Sequence, residues 1–279
     1  MSKALDDLHR YWVKRSTSRQ AYYDVFWLMA HYLGIEWADL MVRHSDDFPK
    51  SQMTALEEAL AAYFDGKPLA YILGSVPFLG LEIKIEEGVL VPRVDTEFMV
   101  NCLIQKLAPR AKILEWGVGS GAISCALAKN IRNVSIVAVD KSILACQVAK
   151  NNSEILGLGH QITVVEGDWY QECTWEGFDA MVSNPPYIAP GDRHLSPKVA
   201  AYEPKTALLA EDNGFADLQR LISVGMTVLK DGGLIALEHG YLQQERVVSA
   251  LCLAGYQEIE CGSDNQHPRF VTAVKPSAR

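Results

Sequence analysis

The stretch Lys112-Ile113-Leu114-Glu115-Trp116-Gly117-Val118-Gly119-Ser120-Gly121 decides the fold. A short apolar run ends in an acidic residue, three glycines follow at alternate positions, and residues 122–130 continue with apolar side chains at helical spacing. That order reads as strand, tight turn and helix. Glycines in such a turn let the backbone approach a ligand, which then lies over the start of a helix. The spacing is not the one that cradles a dinucleotide, because the third glycine of G-x-G-x-x-G arrives one residue early. Glu115 beside the loop disfavours a polyanion and favours a ligand carrying an amine or a sulfonium. A plain structural turn has the same glycines, so the loop alone does not settle the matter.

Downstream the unit repeats. Apolar β-rich runs lie at 135–139, 162–165, 178–182, 234–237 and 270–274, with helical patterns at 143–156, 215–229 and 243–254. Short, nearly continuous apolar strands alternating with helices predict an α/β fold, a parallel sheet covered on both faces. Such a sheet binds ligands at the carboxyl ends of its strands, where the strand order reverses. Upstream, Val25, Leu28, Met29, Tyr32 and Leu33, then Leu56, Ala59, Leu60 and Tyr63, keep a helical period, broken at Gly34, at Asp46-Asp47-Phe48-Pro49 and at Gly66 with Pro68. Residues 76–85 alternate apolar and polar around Gly80, as a hairpin does. The expected division is a helical N-terminal domain over 1–74, a β-hairpin connector over 75–92 and the α/β domain over 93–279.

Three features at strand ends add to the glycine loop. Asp140 lies about 20 residues beyond it, where a carboxylate accepts both hydroxyls of a ribose; capping of the next helix, shared with Ser142, is the alternative. In Gly167-Asp168-Trp169, Asp168 is placed to accept from an adenine amino group and Trp169 to cover its ring, although a turn followed by a core residue reads the same way. Asn184-Pro185-Pro186-Tyr187 closes an apolar strand and is the most telling. Its two prolines fix the backbone and carry no N–H, so the Asn184 side-chain oxygen and the Pro185 carbonyl form a pair of acceptors. A planar NH₂ group has two in-plane donors for such a pair and keeps its nitrogen face open to an electrophile. Tyr187 is placed to stack on that plane.

Composition sets the outer limits. The 279 residues are 49% hydrophobic and 22% charged, with a net charge of −8, so the chain folds and does not carry the clustered lysine and arginine of a nucleic-acid module. The acidic excess is shared: 13 acids to 9 bases over residues 1–90, and 21 to 17 beyond. Lys3, Arg10, Lys14, Arg15 and Arg19 form a local basic run that reads as a solvated helix face. Cys102, Cys125, Cys146, Cys173, Cys252 and Cys261 are scattered with no C-x-x-C, so a zinc site is not expected and the cysteines read as thiols of a reducing, cytoplasmic compartment. The apolar stretch over 21–42 is broken by Asp24, His31, Glu36 and Asp39, so no membrane span is expected.

From Gly66 onward the sequence resembles class I S-adenosylmethionine-dependent methyltransferases that act on planar nitrogens, and among them the protein-(glutamine-N5) methyltransferases of bacterial peptide release factors. The segments that carry the resemblance are Pro68-Leu69-Ala70-Tyr71-Ile72-Leu73-Gly74, Val89-Leu90-Val91-Pro92-Arg93 with Asp95-Thr96-Glu97, the glycine loop, Val182-Ser183-Asn184-Pro185-Pro186-Tyr187, Tyr202-Glu203-Pro204 and Leu237-Glu238-His239-Gly240. N-P-P-Y is shared with DNA adenine-N6 methyltransferases; its combination with P-R-x-x-T-E is far more specific.

The resemblance implies a Rossmann-like sheet and S-adenosylmethionine as cofactor, leaving as S-adenosylhomocysteine. It implies cofactor contacts from Glu115, Gly117, Val118, Gly119, Ser120, Gly121, Asp140, Asp168, Trp169 and Asn184. Asn184, Pro185, Pro186 and Tyr187 would hold the glutamine of a Gly-Gly-Gln motif in a class-1 release factor, with Asn184, Pro185 and Tyr187 at the chemistry and the helical domain and hairpin docking the partner. Glu115-Trp116 stands where Asp-Leu is usual, Val94 and Lys67 replace a usual Pro and Glu, and the arginines usual before Gly66 give way to Tyr63 and Phe64. An adenine-N6 nucleic-acid methyltransferase would need a basic channel that the charge count does not offer. A ribosomal-protein glutamine methyltransferase shares the fold and chemistry, and a non-catalytic scaffold would show a damaged loop or N-P-P-Y. Arg93 and Glu97 are expected to orient or support, His194 and Glu203 to lie in segments covering the pocket, and His239 to be a hydrogen-bonded structural histidine.

Overall fold

A computed structural model describes residues 3–16, 18–171, 175–264 and 266–277. Cys173 lies outside them. The chain forms two compact units, residues 1–74 and 75–279. The first contains α1 (Leu5–Val13), α2 (Gln20–Leu33), α3 (Asp39–Val42), α4 (Lys50–Asp65) and α5 (Leu69–Leu73). Gly34, Gly66 and Gly74 end α2, α4 and α5 in the left-handed conformation that glycine tolerates. Leu5, Val25, Leu28, Met29, Leu56 and Leu60 make its core. On α1, Arg10 pairs with Asp6 and Asp7 at the surface, which matches the solvated face read from the sequence.

The second unit begins with the hairpin, β1 (Ser75–Phe78) and β2 (Leu81–Lys84). Its two-residue turn, Leu79 at φ 45° and Gly80 at φ 76°, has the positive angles that match the twist of paired strands. Phe78, Leu81 and Ile83 enter the same core as Met99, Val100 and Leu103 from α6 (Val94–Lys106). Glu97 accepts from the Leu79 N–H at 3.1 Å and so fastens the turn to α6.

The remaining strands are β3 (Lys112–Trp116), β4 (Ser135–Asp140), β5 (Ile162–Glu166), β6 (Phe178–Ser183), β7 (Leu229–Glu238), β8 (Gln257–Ser263) and β9 (Pro268–Val274). Among the described residues they form one sheet in the order β5-β4-β3-β6-β7-β9-β8. One face packs on α6, α7 (Ala122–Asn130) and α8 (Ile143–Ile155), the other on α12 (Ala216–Val228) and α13 (Gln244–Ala254). Three short turns, α9 (Pro197–Tyr202), α10 (Lys205–Leu208) and α11 (Glu211–Gly214), connect β6 to α12.

The expectation of a parallel sheet holds for β3 to β7 and needs correcting beyond them. Strand β9 runs antiparallel to β7 and to β8. An apolar strand buried on both faces looks the same in either direction, so residues 270–274 carry no mark of their reversal. The edge strand β8 is mostly exposed and has no apolar alternation to find. The order reverses between β3 and β6, which are paired in parallel with Trp116 opposite Ser183. Their carboxyl ends define the place for a ligand.

Candidate active site

Two loops leave that point side by side: the glycine loop after β3 and Asn184-Pro185-Pro186-Tyr187 after β6. The Ser183 hydroxyl donates to the Trp116 carbonyl at 2.7 Å and stitches their roots together. In the glycine loop, Gly117, Gly119 and Gly121 have φ of 76°, 53° and 81°, values that a side chain would strain. Four of the loop's amides are already used. Gly117 and Val118 donate to the Val139 carbonyl, Gly119 to Asp140 Oδ2 and Gly121 to the Val118 carbonyl. The loop therefore does not turn these amides to a phosphate, in keeping with the sequence reading of a non-anionic ligand.

The small cleft above it is lined by Gly117, Gly119, Asp140, Trp169, Asn184 and Pro186, with Leu90 and Ala207 also in its lining. Asp140 ends β4; its Oδ1 accepts from the Ser142 N–H and its Oδ2 from Gly119, and burial raises its pKa. Ser142 itself caps α8, accepting from the Ala145 N–H at 3.2 Å, so helix capping does not occupy Asp140. Trp169 is fixed by donating Nε1–H to Asp217 at 2.9 Å. Its ring edge lies where a Cβ on Gly117 would come within 3.5 Å.

Other residues expected as cofactor contacts shape the loop from beneath it. Val118 is buried in the core, the Ser120 carbonyl accepts from Asn152 Nδ2, and Gly121 packs so closely on α8 that a Cβ would meet Ala149 at 3.1 Å. Asp168 accepts from the Tyr170 N–H and makes a turn, the alternative its triplet left open. Glu115 is wholly buried, takes a hydrogen bond from Ser124 at one oxygen and has no protein partner at the other. Burial pushes its pKa up to about 8, and a cation brought near that oxygen would favour its ionised form.

A second, wider cleft of about 490 Å³ adjoins the first. Pro185, Tyr187, His194, Arg93 and Arg269 line it, and Leu90, Asn184 and Ala207 line both. Asn184 is the polar residue where the two meet. Its Nδ2 donates to Thr96 Oγ1 at 3.1 Å. Thr96, on α6, donates to Glu238 Oε2 at 2.6 Å, and Tyr187 donates to Glu238 Oε1 at 3.2 Å. Thr96 and Glu238 are 3% and 1% exposed; burial lifts Glu238 to about 7 and Tyr187 above its usual range.

Thr96 and Glu238 fall within segments that carry the family resemblance, yet no pattern in the sequence marks them as part of the site. The signal available was a hydroxyl in P-R-x-x-T-E and a carboxylate ending an apolar strand; their meeting depends on 142 residues of separation. Arg93 binds the buried Glu203 at 2.6 Å, and Glu203 also accepts from the Val91 N–H, tying the α9–α10 segment to the chain before α6. His239 is buried with Nδ1 against the Gly240 carbonyl, and burial lowers its pKa, as suits a structural residue. Among the described residues no group of three or more His, Cys, Asp or Glu is placed to hold a metal ion, and no helix is long and apolar enough to cross a membrane.

Family models match in two places: the PrmC N-terminal domain over residues 13–74 and the Methyltransferase small domain over 89–201. The release factor glutamine methyltransferase of Escherichia coli K12 is 34% identical over 238 residues, covering 85% of this chain and 86% of that protein. The one of Shewanella oneidensis is 35% identical over 245 residues, covering 88% and 85%. Among solved structures, a methyltransferase from Pyrococcus furiosus aligns with TM-score 0.54 at 16% identity, over 82% of this chain and all of that one. The ribosomal protein L11 methylase from Lactobacillus delbrueckii aligns at 0.51 and 18%, over 70% and 86%. At these identities the structural matches speak for the fold alone.

Proposed function

Because the chain belongs to the release factor glutamine methyltransferase family, we propose that it moves a methyl group from S-adenosylmethionine to the side-chain amide nitrogen of a release-factor glutamine, the one in the Gly-Gly-Gln motif. The observation that carries this reading is Asn184, standing where the two clefts meet with its amide nitrogen committed to Thr96.

The first cleft suits a flat, cationic nucleoside. In its lining Asp140 offers a carboxylate at the end of β4 and Trp169 an aromatic wall over a glycine that leaves it room, and the unpartnered oxygen of Glu115 lies buried in β3 just before the loop. Asp140 would hold the ribose, Trp169 would flank the base, and Glu115 would face the cationic end. When bound, S-adenosylmethionine supplies an electrophilic methyl carbon on a sulfonium.

The second cleft takes the protein substrate. An amide nitrogen is a poor nucleophile because its lone pair is conjugated with the carbonyl, so the site has to aim it and favour positive charge on it. The Asn184 side-chain oxygen and the Pro185 carbonyl accept both amide hydrogens, which fixes the plane and draws charge onto nitrogen. Tyr187 bounds that plane. Holding two reactants in attack geometry is worth about 7 to 11 kcal/mol of barrier, which is why no strong general base is needed. The nitrogen that gains the methyl sheds one proton, passed from the acceptors to water in the open cleft. The helical unit, residues 1–74, adds docking surface for the release factor.

The test is Asn184→Ala. The rate of transfer to a release factor falls at least about 100-fold, two hydrogen-bond-scale effects on the barrier, while S-adenosylmethionine still binds. Near-normal transfer by that variant would defeat the acceptor-pair account.

A further inference from the structure

Asn184 can serve as an acceptor toward substrate only if its amide is turned one way round. An asparagine side chain presents an oxygen at one end and an NH₂ at the other, and reversed by 180° it would offer donors to the substrate's own NH₂ group. The structure contains what fixes the choice. Thr96 has a single hydroxyl hydrogen, and at 2.6 Å from Glu238 Oε2 that hydrogen is given to the carboxylate. The Thr96 oxygen is then left only able to accept, so the end of Asn184 beside it at 3.1 Å has to be the NH₂. The oxygen is turned from Thr96 as a consequence. Tyr187 spends its own hydrogen on the other oxygen of Glu238, so one carboxylate sets the direction of both side chains that bracket the substrate amide.

We propose that Glu238 is a positioning residue which, through Thr96, locks the Asn184 amide in the acceptor orientation required for methyl transfer. This rests on the reading of Asn184 given above. No contact between Glu238 and substrate is involved; the effect passes through proton direction alone.

The lock holds while Glu238 is ionised. Protonated on Oε2, Glu238 can give a hydrogen to Thr96, which is then free to donate to the Asn184 oxygen, and the amide is no longer held one way round. The charged and titratable groups facing Glu238 are Asp95 from α6, Arg269 from β9 and Tyr187 from the loop after β6. Arg269 is shared with Asp95 at 3.0 Å and Asp264 at 2.5 Å, so its charge is largely spent on others. Burial dominates, and Glu238 titrates at about 7.

The experiment follows transfer at saturating S-adenosylmethionine across pH for the full-length wild type, Glu238→Gln, Thr96→Val, Thr96→Ser and Asn184→Ala, with cofactor affinity measured alongside. We expect kcat of the wild type to rise with pH through about 7 and Glu238→Gln to lose that step, since a glutamine amide does not titrate in that range. Thr96→Val lowers kcat about tenfold or more, the scale of one lost orienting hydrogen bond, with cofactor affinity within about twofold, and Thr96→Ser restores most of the rate. An unchanged pH step in Glu238→Gln, or full kcat in Thr96→Val, overturns the inference while Asn184→Ala remains impaired. Full activity of Asn184→Ala removes the underlying reading as well.

Discussion

Glu115 shows how far the meaning of one carboxylate depends on burial. In sequence it is an acid beside a glycine loop; in the fold it is fully enclosed, with one oxygen unmatched and a pKa pushed up to about 8. A cation brought to that oxygen favours the ionised form, so binding a cationic nucleoside releases a proton. Affinity for S-adenosylmethionine is therefore expected to strengthen as pH rises from about 6 to about 7.5, a window below the ordinary range of an α-amino group. Glu115→Gln should flatten that dependence and weaken binding about tenfold or more, as titration calorimetry would show. Stability moves the other way. With a folded-state pKa above the unfolded value, the folded protein holds a proton that the unfolded chain has lost between about 4.5 and 8, so this residue makes the ligand-free protein less stable as pH rises through that window. Thermal melts of Glu115→Gln should lack that contribution.

At the scale of elements, the site depends on three close fits. Asn152 on α8 accepts from the Lys84 N–H and donates to the Lys84 and Ser120 carbonyls, each near 2.8 or 2.9 Å. One buried amide thus fastens the hairpin to the glycine loop. Asn152→Leu orphans three backbone groups at about 1 kcal/mol or more each, and is expected to lower the melting temperature and raise the KM for S-adenosylmethionine. Gly121 is the second fit, pressed on Ala149. The third is Gly214, at φ 82°, where a Cβ would stand 2.3 Å from the Tyr187 carbonyl oxygen. Gly214→Ala is expected to displace the end of N-P-P-Y and cost transfer about tenfold or more, because small misplacements of attack geometry are expensive; single-turnover rates at saturating cofactor would reveal it. None of these partners is readable from the chain. Asn152 and Gly214 carry no local pattern, whereas the strand-loop-helix of residues 112–130 and the prolines after Asn184 fix their own geometry within a few residues. Local chemistry was legible; contacts between Thr96 and Glu238, or Arg93 and Glu203, arise only when distant elements pack.

For the whole molecule, every residue lining the two clefts falls within residues 75–279. A chain without residues 1–74 is therefore expected to bind S-adenosylmethionine within about threefold of the full protein, and to lose kcat/KM toward a release factor about tenfold or more if the helical unit contributes one modest patch of binding energy. Equal kcat/KM would remove the docking role from that unit. Net charge makes a second statement at this scale. With −8 overall and Arg10 paired with its neighbours on α1, duplex DNA should neither accept methyl groups nor compete with a release factor at physiological salt.

The antiparallel insertion of β9 between β7 and β8 has a consequence for how the enzyme is made. The place between β7 and β8 is filled by residues 268–274, which come after every other strand of the sheet in the chain. Until they emerge, β7 has an open edge and Arg269 is missing from beside Asp95. During synthesis the sheet therefore cannot close until β9 has followed the other six strands, so its last pairing step joins the latest strand to β7 and β8 together.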